Sequence, residues 1–154
     1  DAETLRRGVA LMREAYGQRW DARTRPYPGV EQLLSQLAAR STPMAVLSNK
    51  PHDVTRAVVQ RFLARWRPDP VLGQRAGVPP KPDPAAALEI ARAWDTPPGR
   101  LLLVGDSPTD VRTALAAGMV PVGVAWGFRD GRLLREAGAE YLLGEAAELL
   151  ELLG

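Results

Sequence analysis

The stretch GRLLLVGDSPTD, residues 99–110, runs four apolar residues, Leu101 to Val104, into Gly105 and then sets Asp106 and Asp110 four positions apart. Two carboxylates at one strand mouth repel each other unless positive charge lies between them. Magnesium, which takes one or two carboxylates together with phosphate and water, suits that spacing. A plainer use exists for part of the stretch. With Ser107 as N-cap and Pro108 as the first helical residue, Asp110 stands third and completes a variant capping box. Capping accounts for Asp110 but leaves Asp106 unexplained. Two further stretches carry polar groups near strand ends. In AVLSNKP, residues 45–51, Ser48 and Asn49 follow an apolar run and precede a helix, whose open N–H groups and hydroxyl neighbour make a site for phosphate; turn and capping duty is the alternative. In PPKPDP, residues 79–84, Lys81 stands between Pro80 and Pro82, which restrict the backbone on both sides. A compact ammonium there can neutralise phosphate oxygens or nearby carboxylates, or simply face solvent. Of the 20 basic residues, only Lys50 and Lys81 are lysines, so a lysine at such a place stands out.

These residues need a scaffold, and the apolar periodicity supplies one. Leu5, Val9, Met12, Tyr16 and Trp20 recur at helical spacing, which predicts an amphipathic helix over residues 2–20. TRPYPG, residues 24–29, then breaks the pattern and marks a domain boundary or hinge. From residue 30 the chain alternates. Helices are expected over 30–40, 52–66, 83–94 with Asp83 as N-cap, 108–117, 131–137 and from 145 onward. Strands are expected over 44–48, weakly within 68–73, then over 101–105, 120–126 and 140–143. Apolar strands alternating with amphipathic helices predict an α/β fold, a parallel sheet with helices on both faces. In such sheets ligands sit at the carboxyl ends of the strands, where Ser48, Asn49, Asp106 and Asp110 all fall.

Composition narrows the classes. A length of 154 residues fits one domain with a real core. The net charge is +2 with no basic stripe, which argues against a nucleic-acid partner. There is no cysteine, so no disulfide framework or thiolate chemistry, and no apolar run reaches the roughly 20 residues of a membrane helix. A cytoplasmic protein that meets neither nucleic acid nor membrane is expected.

Taken in order, a strand ending in Ser-Asn, a Lys-Pro ahead of a helix and a strand ending in GDSxxD resemble the second, third and fourth motifs of the haloacid dehalogenase-like hydrolases. PYPGVEQLLSQLAAR, AVLSNKP and the VGVAWGF loop look most like the phosphoglycolate phosphatase branch. The resemblance covers almost the whole chain and implies a HAD-like Rossmannoid sheet. Residues 26–154 would form that core, and residues 1–25 the end of a helical cap and its hinge. It implies a magnesium-dependent phosphatase acting on a small phosphorylated metabolite through an aspartyl-phosphate. Ser48 and Asn49 would bind the phosphoryl group, and Lys81 would balance its charge and orient the nucleophile. Asp106 would ligate magnesium, and Asp110 would support the metal directly or through water, with Ser107 assisting.

The family's first motif, DxDGT at the end of an initial strand, has no counterpart in these residues, although nucleophile and general acid both reside there. In the family that strand lies centrally, between the strand ending at Ser48 and the one ending at Gly105. Its absence would leave two strand edges facing each other across about 10 Å. This chain alone is therefore expected to be inactive, with its sheet completed by another segment or by a second copy in a homodimer. A non-catalytic phosphate-binding or interaction scaffold is the alternative. A phospho-acceptor receiver domain fits less well, because there the Lys-Pro follows the acceptor aspartate, whereas Lys81 precedes Asp106.

Overall fold

The computed structural model describes Glu3, Arg7 and residues 24–127 and 130–153. The helix expected over residues 2–20 lies outside the described residues except at those two positions. From residue 30 onward the order is α1 (Val30–Ala39), β1 (Val46–Pro51), α2 (His52–Phe62), a 3-10 turn (Ala64–Trp66), β2 (Val71–Gln74), α3 (Ala85–Ala93) and a second 3-10 turn (Pro98–Arg100). There follow β3 (Leu102–Gly105), α4 (Pro108–Ala117), β4 (Val120–Val124), α5 (Gly131–Glu136), β5 (Tyr141–Leu143) and α6 (Glu148–Leu153). All strand pairings are parallel.

Helices cover both faces of the β3–β4–β5 sheet. On one side Leu33 and Leu37 of α1 and Leu149 of α6 close on Val122 and Leu143, with Leu102 packed against them. On the other, Ala87 and Ala91 of α3 meet Ala114 and Ala117 of α4, with Leu101 and Leu103 against that cluster. Leu102 and Leu103 therefore serve opposite faces, as the pleat requires. The alanine-rich second interface allows α3 and α4 to lie close to each other and to the sheet.

Two separate sheets form: β1 with β2, and β3 with β4 and β5. Among the described residues neither β1 nor β3 has a strand on its second edge. The burial pattern agrees with that split. Val104 of β3 is 41% exposed, and none of the residues of β1 is fully buried, whereas β4, paired on both sides, buries four of its five. A parallel strand inside a continuous sheet would be covered on both faces.

Element ends move where tertiary contacts act. The expected helix over 52–66 stops at Phe62 and resumes as a 3-10 turn. Trp66 Nε1 donates to Ser35 Oγ at 2.9 Å, and the Arg65 guanidinium stacks 3.9 Å above the Trp66 ring while pairing with Glu31 at 2.8 Å. Anchorage to α1 thus pulls the last turn out of line. The helix expected from residue 83 starts at Ala85, since the Asp83 carboxylate accepts the Ala85 N–H at 2.9 Å and forms a turn ahead of it. The last helix starts at Glu148 rather than 145, because the Glu148 side chain folds back to accept the N–H groups of Gly144 and Glu145.

Candidate active site

β1 reaches two or three residues further than its apolar run. Pairing with β2 carries it to Pro51, opposite Gln74, and the register shifts between Leu47 and Pro51. Ser48, Asn49 and Lys50 lie in that irregular stretch, where a bulge turns side chains away from simple alternation. Ser48 Oγ accepts the Lys50 N–H at 3.1 Å, which leaves its hydroxyl proton for a ligand.

Lys81 bridges β1 and the start of α4. Its ammonium donates to the Leu47 carbonyl of β1 at 3.1 Å and to Asp110 Oδ1, at the start of α4, at 2.6 Å. Both side chains are nearly covered, with 12% and 11% of their surface exposed. Charge pairing in this setting is costly to break, because either partner alone would be left as an uncompensated charge out of water. Asn49 locks the lysine from behind: its Oδ1 accepts the Lys81 N–H at 2.8 Å and its Nδ2 donates to the Lys81 carbonyl at 3.0 Å. The Oδ1 and one Nδ2 N–H of the amide expected beside a phosphoryl group thus hold the Lys81 backbone.

Asp110 performs the capping role and an electrostatic one together. Its Oδ2 accepts the Ser107 N–H at 3.1 Å and the Ser107 hydroxyl at 2.6 Å, completing the capping box, while its Oδ1 meets Lys81. The residue is buried, and α4 starts where the box fixes it. Asp106 stands half-buried just past the end of β3.

Each aspartate rests on a glycine. A Cβ at Gly105 would collide with the Asp110 side chain, its Oδ2 only 2.6 Å away, and a Cβ at Gly127 would collide with Asp106, whose Oδ2 would lie 2.5 Å away. Gly105 does not have a positive φ, so close approach rather than a sharp turn explains it. Sequence reading missed Gly127 and the Leu47 carbonyl. The only signal for Gly127 was its place in the loop after β4, a strand that pairs in register with β3.

Contacts thus tie Lys81, Asp110, Asn49 and Ser107 together, with Ser48 next to Leu47 in β1 and Asp106 just past the end of β3. Among the described residues no three acidic or histidine side chains come together as a full metal cage. A pair of carboxylates with the rest of the shell left to phosphate and water is nevertheless the usual way magnesium is held, and the all-oxygen donor set fits it.

Comparison with known proteins shows the family. The family model described as haloacid dehalogenase-like hydrolase matches residues 1–118. The phosphoglycolate phosphatase of Pseudomonas savastanoi pv. phaseolicola is 30% identical over 97% of the chain and 55% of its own length. That of Nitrosospira multiformis is 30% identical over 98% of the chain and 68% of its own length. A crystal structure of a candidate phosphoglycolate phosphatase from Lactobacillus delbrueckii subsp. bulgaricus superposes with a TM-score of 0.91 at 28% identity, over 99% of this chain and 63% of that one. The chain spans about half the length of most curated relatives it matches, 55% in the first case. With the strand-end motifs in place, the chain belongs to the haloacid dehalogenase-like hydrolases, in their phosphoglycolate phosphatase-like branch.

Proposed function

We propose that this chain forms the phosphate- and metal-handling part of a magnesium-dependent phosphomonoester hydrolase that acts on a small phosphorylated metabolite of the phosphoglycolate kind. The observation that carries the reading is Lys81, whose ammonium lies between the Leu47 carbonyl and the Asp110 carboxylate at the mouth between β1 and β3. A fixed cation there suits a group that gathers negative charge as it transfers. Positioning and charge neutralisation carry most of a phosphoryl transfer.

In this reading Ser48 donates its hydroxyl to a phosphoryl oxygen, and Lys81 offsets the charge on the phosphoryl group. Asn49 keeps Lys81 in place by gripping its main chain. Asp106 would hold magnesium, with Asp110 supporting from the side it shares with Lys81 and Ser107. Bound there, magnesium would neutralise phosphoryl oxygens and help align the ester. The attacking carboxylate belongs to a DxDGT segment on a strand between β1 and β3, supplied from outside these 154 residues.

The test is a phosphatase assay on phosphoglycolate with and without magnesium, run on this chain alone and on the complete gene product. The chain alone should be silent and the complete product active with magnesium. Asp106→Asn should weaken magnesium dependence and cut turnover, and Lys81→Ala should lower turnover with less effect on the metal. Wild-type activity in either variant removes that residue from the site. A complete product without phosphatase activity would overturn the enzymatic reading in favour of a phosphate-binding scaffold.

A further inference from the structure

A groove of about 530 Å³ runs along α2 beside β2, where the proposed chemistry uses none of its lining. His52, Arg56 and Gln60 line it at successive turns of one helix face, and Arg67 and Asp69 enter from the connection to β2. We propose that this groove is a second phosphate-binding site, separate from the strand-mouth site, and takes a small phosphate monoester.

The charge pattern points that way. Arg56 and Arg67 share one groove and have no carboxylate partner among the described residues, even though Asp69 lines the same space. Two arginines lining one groove place like charges along it, which an anion would offset, and two planar forks suit the three oxygens and double charge of a phosphate monoester better than a single carboxylate.

The lining is also held in place. Arg67 has the left-handed conformation, φ 51° and ψ 51°, which side chains other than glycine seldom adopt. It is fixed there by buried Trp66 on one side and by the Asp69 N–H donating to the Met44 carbonyl at 2.7 Å on the other. His52 Nδ1 accepts the Gly73 N–H at 3.1 Å, so in the neutral ring the proton is on Nε2, which becomes the donor. Gly73 lies so close under His52 and Thr55 that no side chain fits there, which seats α2 directly on β2. Val59 and Val71 give the groove an apolar wall for an organic substituent, as small-molecule sites have.

His52 is the single histidine of the 154 residues, so its imidazole is an unambiguous NMR reporter. Titration of the 15N-labelled protein with inorganic phosphate should shift the His52 ring signals saturably. The shift should persist in Lys81→Ala and weaken roughly tenfold or more in the Arg56→Ala/Arg67→Ala variant, since charge-assisted hydrogen bonds are lost. Acetate should give no saturable shift. Should the double variant fail to fold, Arg56→Gln alone is expected to weaken the phosphate effect severalfold. The proposal is overturned if the ring signals do not saturate with phosphate, if the arginine variants respond as wild type, if acetate serves equally well, or if Lys81→Ala abolishes the effect.

Discussion

Replacing Lys81 by methionine removes the cation that bridges β1 and the start of α4 while keeping most of the side-chain volume. Asp110 would then sit with about a tenth of its side chain exposed and no counter-charge. Deleting one partner of a buried pair costs about 3–5 kcal/mol. The Ser107 N–H and hydroxyl still donate to Asp110 Oδ2, which places the cost at the lower end, about 3 kcal/mol. For a domain of this size each kcal/mol lowers the melting temperature by about 2–4 °C, so Lys81→Met should melt about 6–12 °C below wild type. Adding Asp110→Asn removes the stranded charge and leaves an oxygen for Ser107 to donate to. The double variant should therefore recover part of the loss and be more stable than Lys81→Met alone. Thermal unfolding followed by circular dichroism at neutral pH measures both. A single variant within about 2 °C of wild type, or a double variant no more stable than the single, would refute the view that this pair is buried and mutually dependent.

Asn49→Ala should release the Lys81 backbone by removing two hydrogen bonds, at a cost of about 1–2 kcal/mol, and should lower turnover in the complete protein by slackening Lys81; unchanged melting and activity would count against a positioning role. Gly127→Ala should crowd Asp106, so calorimetry should find magnesium bound roughly tenfold or more weakly while the melting temperature changes little. Gly105→Ala drives a methyl into the Asp110 side chain and should destabilise by about 1–3 kcal/mol, readable in the same melting assay. Asp130 caps α5 and is held below the ordinary carboxylate value of 3.8 by its side-chain hydrogen bonds with Arg132. A lowered folded value gives stability that is present above the unfolded value and lost as pH falls through the folded one. Asp130→Ala should therefore reduce melting temperature slightly at pH 7, and the difference should vanish in acid below that range.

The local grammar of the sequence determined a good deal. The alternation of apolar runs and amphipathic stretches determined the order of strands and helices, because periods of two and 3.6 residues are properties of neighbours along the chain. The Ser107–Asp110 capping box was legible for the same reason, since it closes within one helical turn. So was the placing of Asp106 and Asp110 just past the end of β3, at the junction of a strand with the helix that follows it. Lys81 as a partner for a nearby carboxylate was open in the sequence, but which carboxylate it meets and what Asn49 holds were not legible. Lys81 meets Leu47 across 34 positions and Asp110 across 29, and Asn49 grips Lys81 across 32, so only the packing of β1, α4 and the proline-bounded loop sets these contacts. Gly105 and Gly127 likewise gained their meaning only when a neighbouring aspartate came to lie where a Cβ would be. Residue types and spacing named the groups able to handle phosphate and metal. Tertiary structure decided which of them hold one another in place, because those contacts depend on distances between segments that no local pattern encodes.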